Sequence, residues 1–422
     1  MRVLFILAFV AWQVSIATAQ VTAITHVTLI DGSDAAPLSD ATVIIEQGRI
    51  SDVGPSTRIV PPTGATIVDG TGKFVVPGII NGHGHVGPAP RDPQLRQYAL
   101  FGVTTTTSMY FDQDDIQAFK AAQNAGDLRG ARILTVMYRF MSEPFKPGSE
   151  MKTPEQARAK VDEIVAKGTD FVKVWIDAQG GRYPKLPPEI TAAVMDQAKT
   201  HNRIRMAHVV ELADARRIVD QGVNILVHNI RDQEMPDDFI TTLKARNVSV
   251  ISTLAREEAM FVFGMLPSGP AFIADPFFQK ALSAERLALL RTKMRDEQAN
   301  DPKRSLWQRM FDIDKKNLKK LVDAGIKFGF GTDSGGALDR YFLQGWFEHR
   351  QMELMRDAGL TPRQIIQSFS KNNAEILGIA KDFGTLEKGK AADLLLLTKN
   401  PLDDITNMRA LDAVYLGGKK FE

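Results

Sequence analysis

The spacing of hydrophobic positions changes twice along this chain. From Val21 to Asp69 short apolar, β-branched runs alternate with turn residues. Ala23 to Ile30 stops at Asp31-Gly32, Ala41 to Ile45 at Gln47-Gly48, Ile50 to Val53 at Gly54, and Ala65 to Val68 at Asp69-Gly70. Such runs predict a small antiparallel sheet. From Pro77 the pattern becomes strand, then helix, repeated. Strands are predicted over 74–86, 102–109, 131–138, 171–175, 203–208, 225–229, 248–254 and 327–333. Between them lie helices with legible ends: Thr153 as N-cap with Pro154 at the first position, Gly222 and Gly325 as stops. Helices over 345–357 and 361–372 finish the series. This alternation predicts an α/β protein built as a (β/α)8 TIM barrel. After Gly384 the β-type turns return, with Leu394-Leu395-Leu396-Leu397 and Ala413-Val414-Tyr415-Leu416 as strands. These are too few for a core of their own, so they are expected to complete the sheet begun by residues 21–69. The division is a composite β-sandwich domain from 20–76 and 381–422, and a barrel over 77–380.

Composition changes this picture little. Of the 422 residues, 44% are hydrophobic and 24% charged, the ordinary balance of a globular protein. The net charge of +2 gives no reason to expect nucleic acid as a partner. The absence of cysteine removes disulfides, thiolate ligands and cysteine nucleophiles. Residues 1–19 read as a secretory signal peptide: Arg2, an apolar run from Val3 to Val14, then Ala17-Thr18-Ala19. That run is short for a bilayer span and is followed by Ser15, so export to the periplasm or medium is expected, with no membrane span after cleavage.

Candidate chemistry gathers where the barrel strands end, the face on which such barrels place their sites. The first strand ends in His83-Gly84-His85, and side chains two apart in a strand share a face. Strand four carries Lys173 between Val172 and Val174, strand five ends in His208, strand six in His228 and strand eight in Asp333. Four of only seven histidines therefore fall at strand ends, and neutral imidazoles converging there suit a divalent ion. His26, His201 and His349 read as structural or surface residues. A lysine in an apolar strand is costly unless its charge is removed or paired, and burial lowers its pKa. The residues leave two readings of Lys173 open: an amine that adds carbon dioxide to become a metal-bridging carbamate, or one that snorkels to the mouth or pairs with Asp333.

The set resembles the amidohydrolase superfamily. The motifs are Val75-Val76-Pro77-Gly78-Ile79-Ile80-Asn81-Gly82-His83-Gly84-His85, Val172-Lys173-Val174, Ala207-His208, Val227-His228-Asn229, Gly331-Thr332-Asp333-Ser334-Gly335 and the tail from Gly384 to Leu394. Within that superfamily the chain is most similar to imidazolonepropionase-like and Xaa-Pro-dipeptidase-like members with a carboxylated lysine. It departs from them at Asn81, where many members carry Asp. The resemblance implies that His83, His85 and Asp333 hold one divalent ion and His208 and His228 another, with Lys173 as N6-carboxylysine between them. Zinc suits these ligands best, with manganese or cobalt as alternatives. It further implies a bridging hydroxide as nucleophile and Asp333 as the catalytic proton carrier.

The expected activity is hydrolysis of a carbon–nitrogen bond in a small-molecule substrate such as a dipeptide or N-acyl amino acid. Hydrolysis of a carbamate, urea, lactone or phosphoester is the second enzymatic reading, and a non-catalytic binding protein of the same fold the third. Tyr138, Arg139, Arg182, Tyr183, Arg231 and Arg256 lie in loops expected to contact substrate, where an arginine binds a carboxylate bidentately. The long stretch from Arg256 to Met310 carries Phe261, Phe263, Phe272, Phe277 and Phe278. It reads either as an apolar lid over the mouth, or as a helical cap or contact in a homo-oligomer.

Overall fold

The computed structural model describes residues 21–87, 90–109, 115–142, 151–178, 184–335 and 343–422. Its centre is a ring of short parallel strands: β1 (Ile79–Asn81), β2 (Val103–Ser108), β3 (Arg132–Thr135), β4 (Phe171–Trp175), β5 (Ile204–His208), β6 (Ile225–Val227), β7 (Ser249–Ser252) and β8 (Phe328–Phe330). Parallel ladders join β1 to β2 to β3, and β4 through to β8. Between β3 and β4 the Asp170 N–H donates to the Thr135 carbonyl at 3.0 Å. The ring closes between β8 and β1, where the Gly82 N–H donates to the Phe330 carbonyl at 2.9 Å. Helices lie between the strands, which makes this the (β/α)8 barrel that the alternation predicts.

Strands from both ends of the chain form one further sheet. Its order is Lys419–Lys420, Leu411–Leu416, Leu394–Leu397, Phe74–Pro77, Thr22–Leu29, Leu38–Glu46 and Arg49–Pro55, with Thr66–Asp69 also pairing with Thr22–Leu29. The four-leucine run shows why it is apolar at every position. Leu394 and Leu396 enter the core of the β-domain with Ile24, Val43 and Val75, while Leu395 and Leu397 enter the barrel-side core with Val76. A strand covered on both faces loses the in–out alternation. Each fully buried leucine contributes roughly 1.5–3 kcal/mol.

Strand Phe74–Pro77 pairs antiparallel with Leu394–Leu397, and a single residue, Gly78, separates it from β1. A Cβ on Gly78 would lie 2.3 Å from Oγ1 of Thr104, so only glycine fits where the chain passes from one sheet to the other.

Two elements differ from the sequence reading. The helix predicted over 361–372 is an α-helix, Pro362–Gln367, then a π turn, Ser368–Asn372, then a short helix, Asn373–Ile376. The extra residue aims Asn373 at the barrel seam. Its Nδ2 donates to the carbonyls of Ile80 and Phe330, both at 2.7 Å, and its Oδ1 accepts from the Phe330 N–H at 3.1 Å.

The second is the stretch between β7 and β8, which is helical. Its last helix, Arg304–Asp323, ends just before the Gly325 stop. Its aromatic rings face the helix Trp346–Asp357. Phe277 packs on His349 and Phe101 at 4.7 and 4.9 Å between centroids, and Phe278 on Trp346 at 5.1 Å. Phe261 meets Phe311 at 5.6 Å and Phe263 meets Phe272 at 5.9 Å. Phe272, Phe277 and Phe278 thus pack the insertion against Phe101, Trp346 and His349, while Phe261 and Phe263 pack within it.

Met1 to Gln20, Gly180, Gly181, Arg182, Tyr183 and Gly336 lie outside the described residues.

Candidate metal centre

Chain geometry at the strand ends brings six side chains together, all at most 5% exposed: His83, His85, Lys173, His208, His228 and Asp333. After β1 the chain continues through His83 to the short segment Gly84–His85, which pairs with Ser334–Gly335. The Asn81 Oδ1 accepts from the His83 N–H at 3.0 Å, and its Nδ2 donates to Thr332 Oγ1 and Glu348 Oε1 at 2.8 and 2.6 Å. An aspartate at 81 would set a second carboxylate against Glu348, so the amide is the residue that fits this neighbour. Gly84 lets the strand approach its surroundings: a Cβ there would lie 2.6 Å from Thr106 Oγ1.

His228 and Asp333 stand at positive φ, 69° and 57°. This left-handed conformation is uncommon for residues with a Cβ and costs of order 1–3 kcal/mol. It turns both side chains inward just past β6 and β8. His83 Nε2 and His85 Nε2 lie 2.9 and 2.6 Å from the same Asp333 oxygen, Oδ1. The ligand atoms of these three residues all fall within 4.8 Å of one another. On the other side, the His208 and His228 rings are 4.4 Å apart, and His228 lies 4.8 Å from His83. Thr253 Oγ1 holds His228 Nδ1 at 2.5 Å, leaving Nε2 directed inward without a hydrogen bond; His208 Nε2 also has none. Lys173 lies between the two groups, its Nζ 3.5 Å from His83 Nδ1.

Burial is the main influence on protonation here. It pushes His83 and His228 well below the usual imidazole range, lowers His85, and takes His208 to about 3. All four are therefore neutral at pH 7, the form that binds metal. Burial lowers Lys173 to about 7, partly opposed by Asp333. Burial alone would raise Asp333, but His83 and His85 outweigh it and hold the carboxyl well below its usual range.

The compact His-His-Asp group, with the buried imidazoles of His208 and His228 beside it, fits a divalent ion. His83, His85 and Asp333 would hold it, with His208 and His228 on the other side of the centre.

The expected substrate residues divide. Arg139 is buried beside Lys173 in a two-residue ladder and stacks 4.1 Å over the Trp175 ring. Tyr138 packs on Phe140 at 5.0 Å. Arg231 is buried: its Nε lies 3.2 Å from Glu257 Oε1, and its Nη1 donates to the carbonyls of Val209 and Asn229, both at 3.3 Å. Those bonds anchor it, and its charge acts on His208 and His228. Arg256 also pairs with Glu257, at 2.9 Å, but its Nε reaches to 3.6 Å from Asp333 Oδ2.

Sequence reasoning missed Asp177, whose Oδ2 lies 3.5 Å from His208 Nε2, and the supporting residues Thr253, Glu257 and Glu348. Asp177 had a signal. It follows Lys173 by four residues, a spacing that shares a face in extended chain. His26 and His201 are surface residues bonded to Asp40 and Asp162, and His349 is buried with Nε2 on the Phe101 carbonyl at 2.9 Å.

A (β/α)8 barrel carrying these ligands at its strand ends defines the class of metal-dependent hydrolases. The chain belongs to the amidohydrolase family, whose sequence profile matches residues 74–420. It is 22% identical over 362 residues to the 5-methylthioadenosine/S-adenosylhomocysteine deaminase of Dictyoglomus thermophilum, covering 79% of this chain and 75% of that protein. Solved structures share its fold. A Xaa-Pro dipeptidase superposes with a TM-score of 0.74 at 20% identity, over 96% of this chain and 100% of the other. Phenylurea hydrolase B gives a TM-score of 0.74 at 24% identity, over 95% and 96%.

Proposed function

We propose that this protein uses two divalent ions, zinc by the nature of its donors, to hydrolyse an amide bond in a dipeptide or N-acyl amino acid. The observation that carries the reading is the ring of four buried, neutral imidazoles around Lys173 and Asp333. When bound, the ions supply a nucleophile from water at neutral pH and polarise the scissile carbonyl. The chain's own residues do the rest. Lys173, its amine lowered by burial, would add carbon dioxide with release of a proton, and as N6-carboxylysine would supply an anionic donor to the ions. Thr253 fixes the His228 tautomer so that Nε2 points inward. Asp333 accepts the proton of the attacking water and delivers it to the leaving nitrogen. Arg256, anchored by Glu257 and next to Asp333, is placed to receive a substrate carboxylate. Support for carbon–nitrogen cleavage comes from the names of a related deaminase and of neighbours in fold that are a dipeptidase and a phenylurea hydrolase.

The test is a substrate panel with zinc- or manganese-loaded protein: dipeptides and N-acyl amino acids against phenylureas, carbamates, lactones and phosphoesters. Turnover of the first two groups with kcat/KM above roughly 10⁴ M⁻¹s⁻¹ is expected. Preference for a urea, carbamate, lactone or phosphoester would overturn the amide reading. From the Ala17-Thr18-Ala19 signal we further infer an exported protein whose mature chain starts at Gln20 or within a residue or two of it. Intact mass of protein recovered from the periplasm or medium checks this, and a chain that retains Met1 refutes it.

A further inference from the structure

The barrel carries another polar recess at the end opposite the metal centre. A cavity of about 360 Å³ lies where β5 to β8 begin, lined by Arg203, Arg205, Asn224, Ser249, Lys327 and Glu375 among others. His208 stands at the far end of β5, so the cavity is separate from the residues that face an ion. Its volume is that of a small-ligand site.

The charges around it do not balance. Lys327 closes onto Glu375 at 2.6 Å. Neither arginine meets a carboxylate among the described residues. Arg205 donates to backbone only, from Nε to the Gly222 carbonyl at 2.7 Å and from Nη1 to the Arg203 carbonyl at 3.2 Å. Arg203 Nε is buried with no hydrogen bond at all. By contrast, Arg350 closes onto Glu258 at 2.6 Å and Arg216 onto Asp238 at 2.7 Å. An uncommitted neutral donor stands beside the pair. Asn224 Oδ1 accepts from the Arg205 N–H at 3.0 Å, and its Nδ2 makes no hydrogen bond among the described residues.

Two guanidinium groups in excess of carboxylate suit a doubly charged oxyanion, because their N–H groups meet its oxygens in pairs. We propose that this cavity binds a dianionic oxyanion, phosphate or a phosphate monoester, at Arg203 and Arg205. The competing role is structural. The helices Pro188–Thr200 and Leu212–Asp220 end at this face, and the arginines would then only offset their carbonyl ends.

Titration calorimetry of the metal-loaded full protein separates these roles. Inorganic phosphate, glycerol 3-phosphate and succinate would each be titrated, at constant ionic strength, into wild type, Arg203→Gln and Asn247→Asp. Asn247 is an exposed residue of the cavity lining at a φ of 51°, which aspartate also adopts, so its variant adds a negative charge and removes no packing. Wild type should bind one phosphate or phosphate ester with a Kd of about 1 mM or tighter. Arg203→Gln should weaken that event at least roughly tenfold, the loss of a charge-assisted hydrogen bond. Asn247→Asp should weaken it about threefold or more by repulsion alone. Tighter binding of glycerol 3-phosphate than of phosphate would mark the ester as the ligand, and the reverse order the free ion. No phosphate or ester binding in wild type, or tighter binding of succinate than of either, would overturn the proposal. So would unchanged affinity in Asn247→Asp or in a folded Arg203→Gln, since an anion taken up at the metal centre responds to neither.

Discussion

Replacing Lys173 with methionine is expected to stabilise the metal-free protein while removing its function. The methionine keeps the length and apolar stem of the side chain but carries no amine to bury. Burial takes the lysine from 10.5 to about 7, which at about 1.4 kcal/mol per pH unit corresponds to roughly 5 kcal/mol. The sign follows from the folded pKa being depressed. Below pH 7 the lysine is protonated in both states and the whole cost of the buried charge is present. Between pH 7 and 10.5 the folded protein releases the proton first, and the cost fades as pH rises. The advantage of Lys173→Met should therefore be largest near pH 6 and smaller by about 2 kcal/mol at pH 8.5. Urea unfolding of chelator-treated wild type and variant at the two pH values measures it. With metal and bicarbonate present the order should reverse, because the variant cannot form the carbamate, and bound metal and turnover should fall together. A variant no more stable than wild type at pH 6, or an advantage that does not shrink toward pH 8.5, would show that Lys173 is not a desolvated amine. Retention of both ions and normal turnover would refute the carbamate.

Asp333→Asn keeps the size of the side chain and an oxygen for His83 and His85 but cannot accept a proton. Metal analysis should show most of the ions retained while turnover falls by about 10²–10⁴-fold. Asp314, buried on the helix Arg304–Asp323 and bonded to Asn229, is raised to about 7 by burial and by Glu257. A raised carboxyl lowers stability as pH climbs toward 7, so Asp314→Asn should gain on wild type in urea unfolding by on the order of 2–3 kcal/mol more at pH 8.5 than at pH 5. Asn373→Ala leaves the Ile80 and Phe330 groups at the β1–β8 seam without their partner, and should cost about 3 kcal/mol of stability, read by the same assay, with little change in metal stoichiometry if the seam only holds the barrel closed.

Much of this molecule is legible locally. The Thr153 cap accepts from the Gln156 N–H at 3.3 Å, as its position before Pro154 predicts. The parity of His83 and His85 is a property of two neighbouring residues, and Lys173 announces itself by the apolar strand around it. What stayed hidden depends on partners distant in sequence. Nothing in the sequence pairs Arg231 with Glu257, on the element after β7, which lies 3.2 Å from its Nε. The phenylalanines of the insertion carry no mark of which surface they meet, and their partners Phe101, Trp346 and His349 come from two other parts of the chain. The π turn before Asn373 is set by the barrel seam, not by local propensity. Asp177 shows its spacing from Lys173 in the sequence, but not the His208 nitrogen opposite it.

The β-domain belongs to the metal centre's mechanics more than its distance suggests. Strand Phe74–Pro77 is hydrogen-bonded to Leu394–Leu397 on one side and to Thr22–Leu29 on the other. Gly78 alone separates it from β1, and β1 is tied to β2 by its ladder and to β8 through Gly82 and Asn373. Two residues beyond β1 stands His83, and two further His85. The ligand pair thus continues a segment clamped by both sheets and is itself paired with Ser334–Gly335, with Asn81 bracing the backbone of His83 against Glu348. His228 and Asp333 reach the same centre from strained left-handed positions, which persist only where the surroundings over-determine them. A clamped strand facing strained partners fixes ligand directions before any ion arrives. Little conformational freedom is then left to lose on binding, and selectivity comes from the geometry offered rather than from adjustment around the ion.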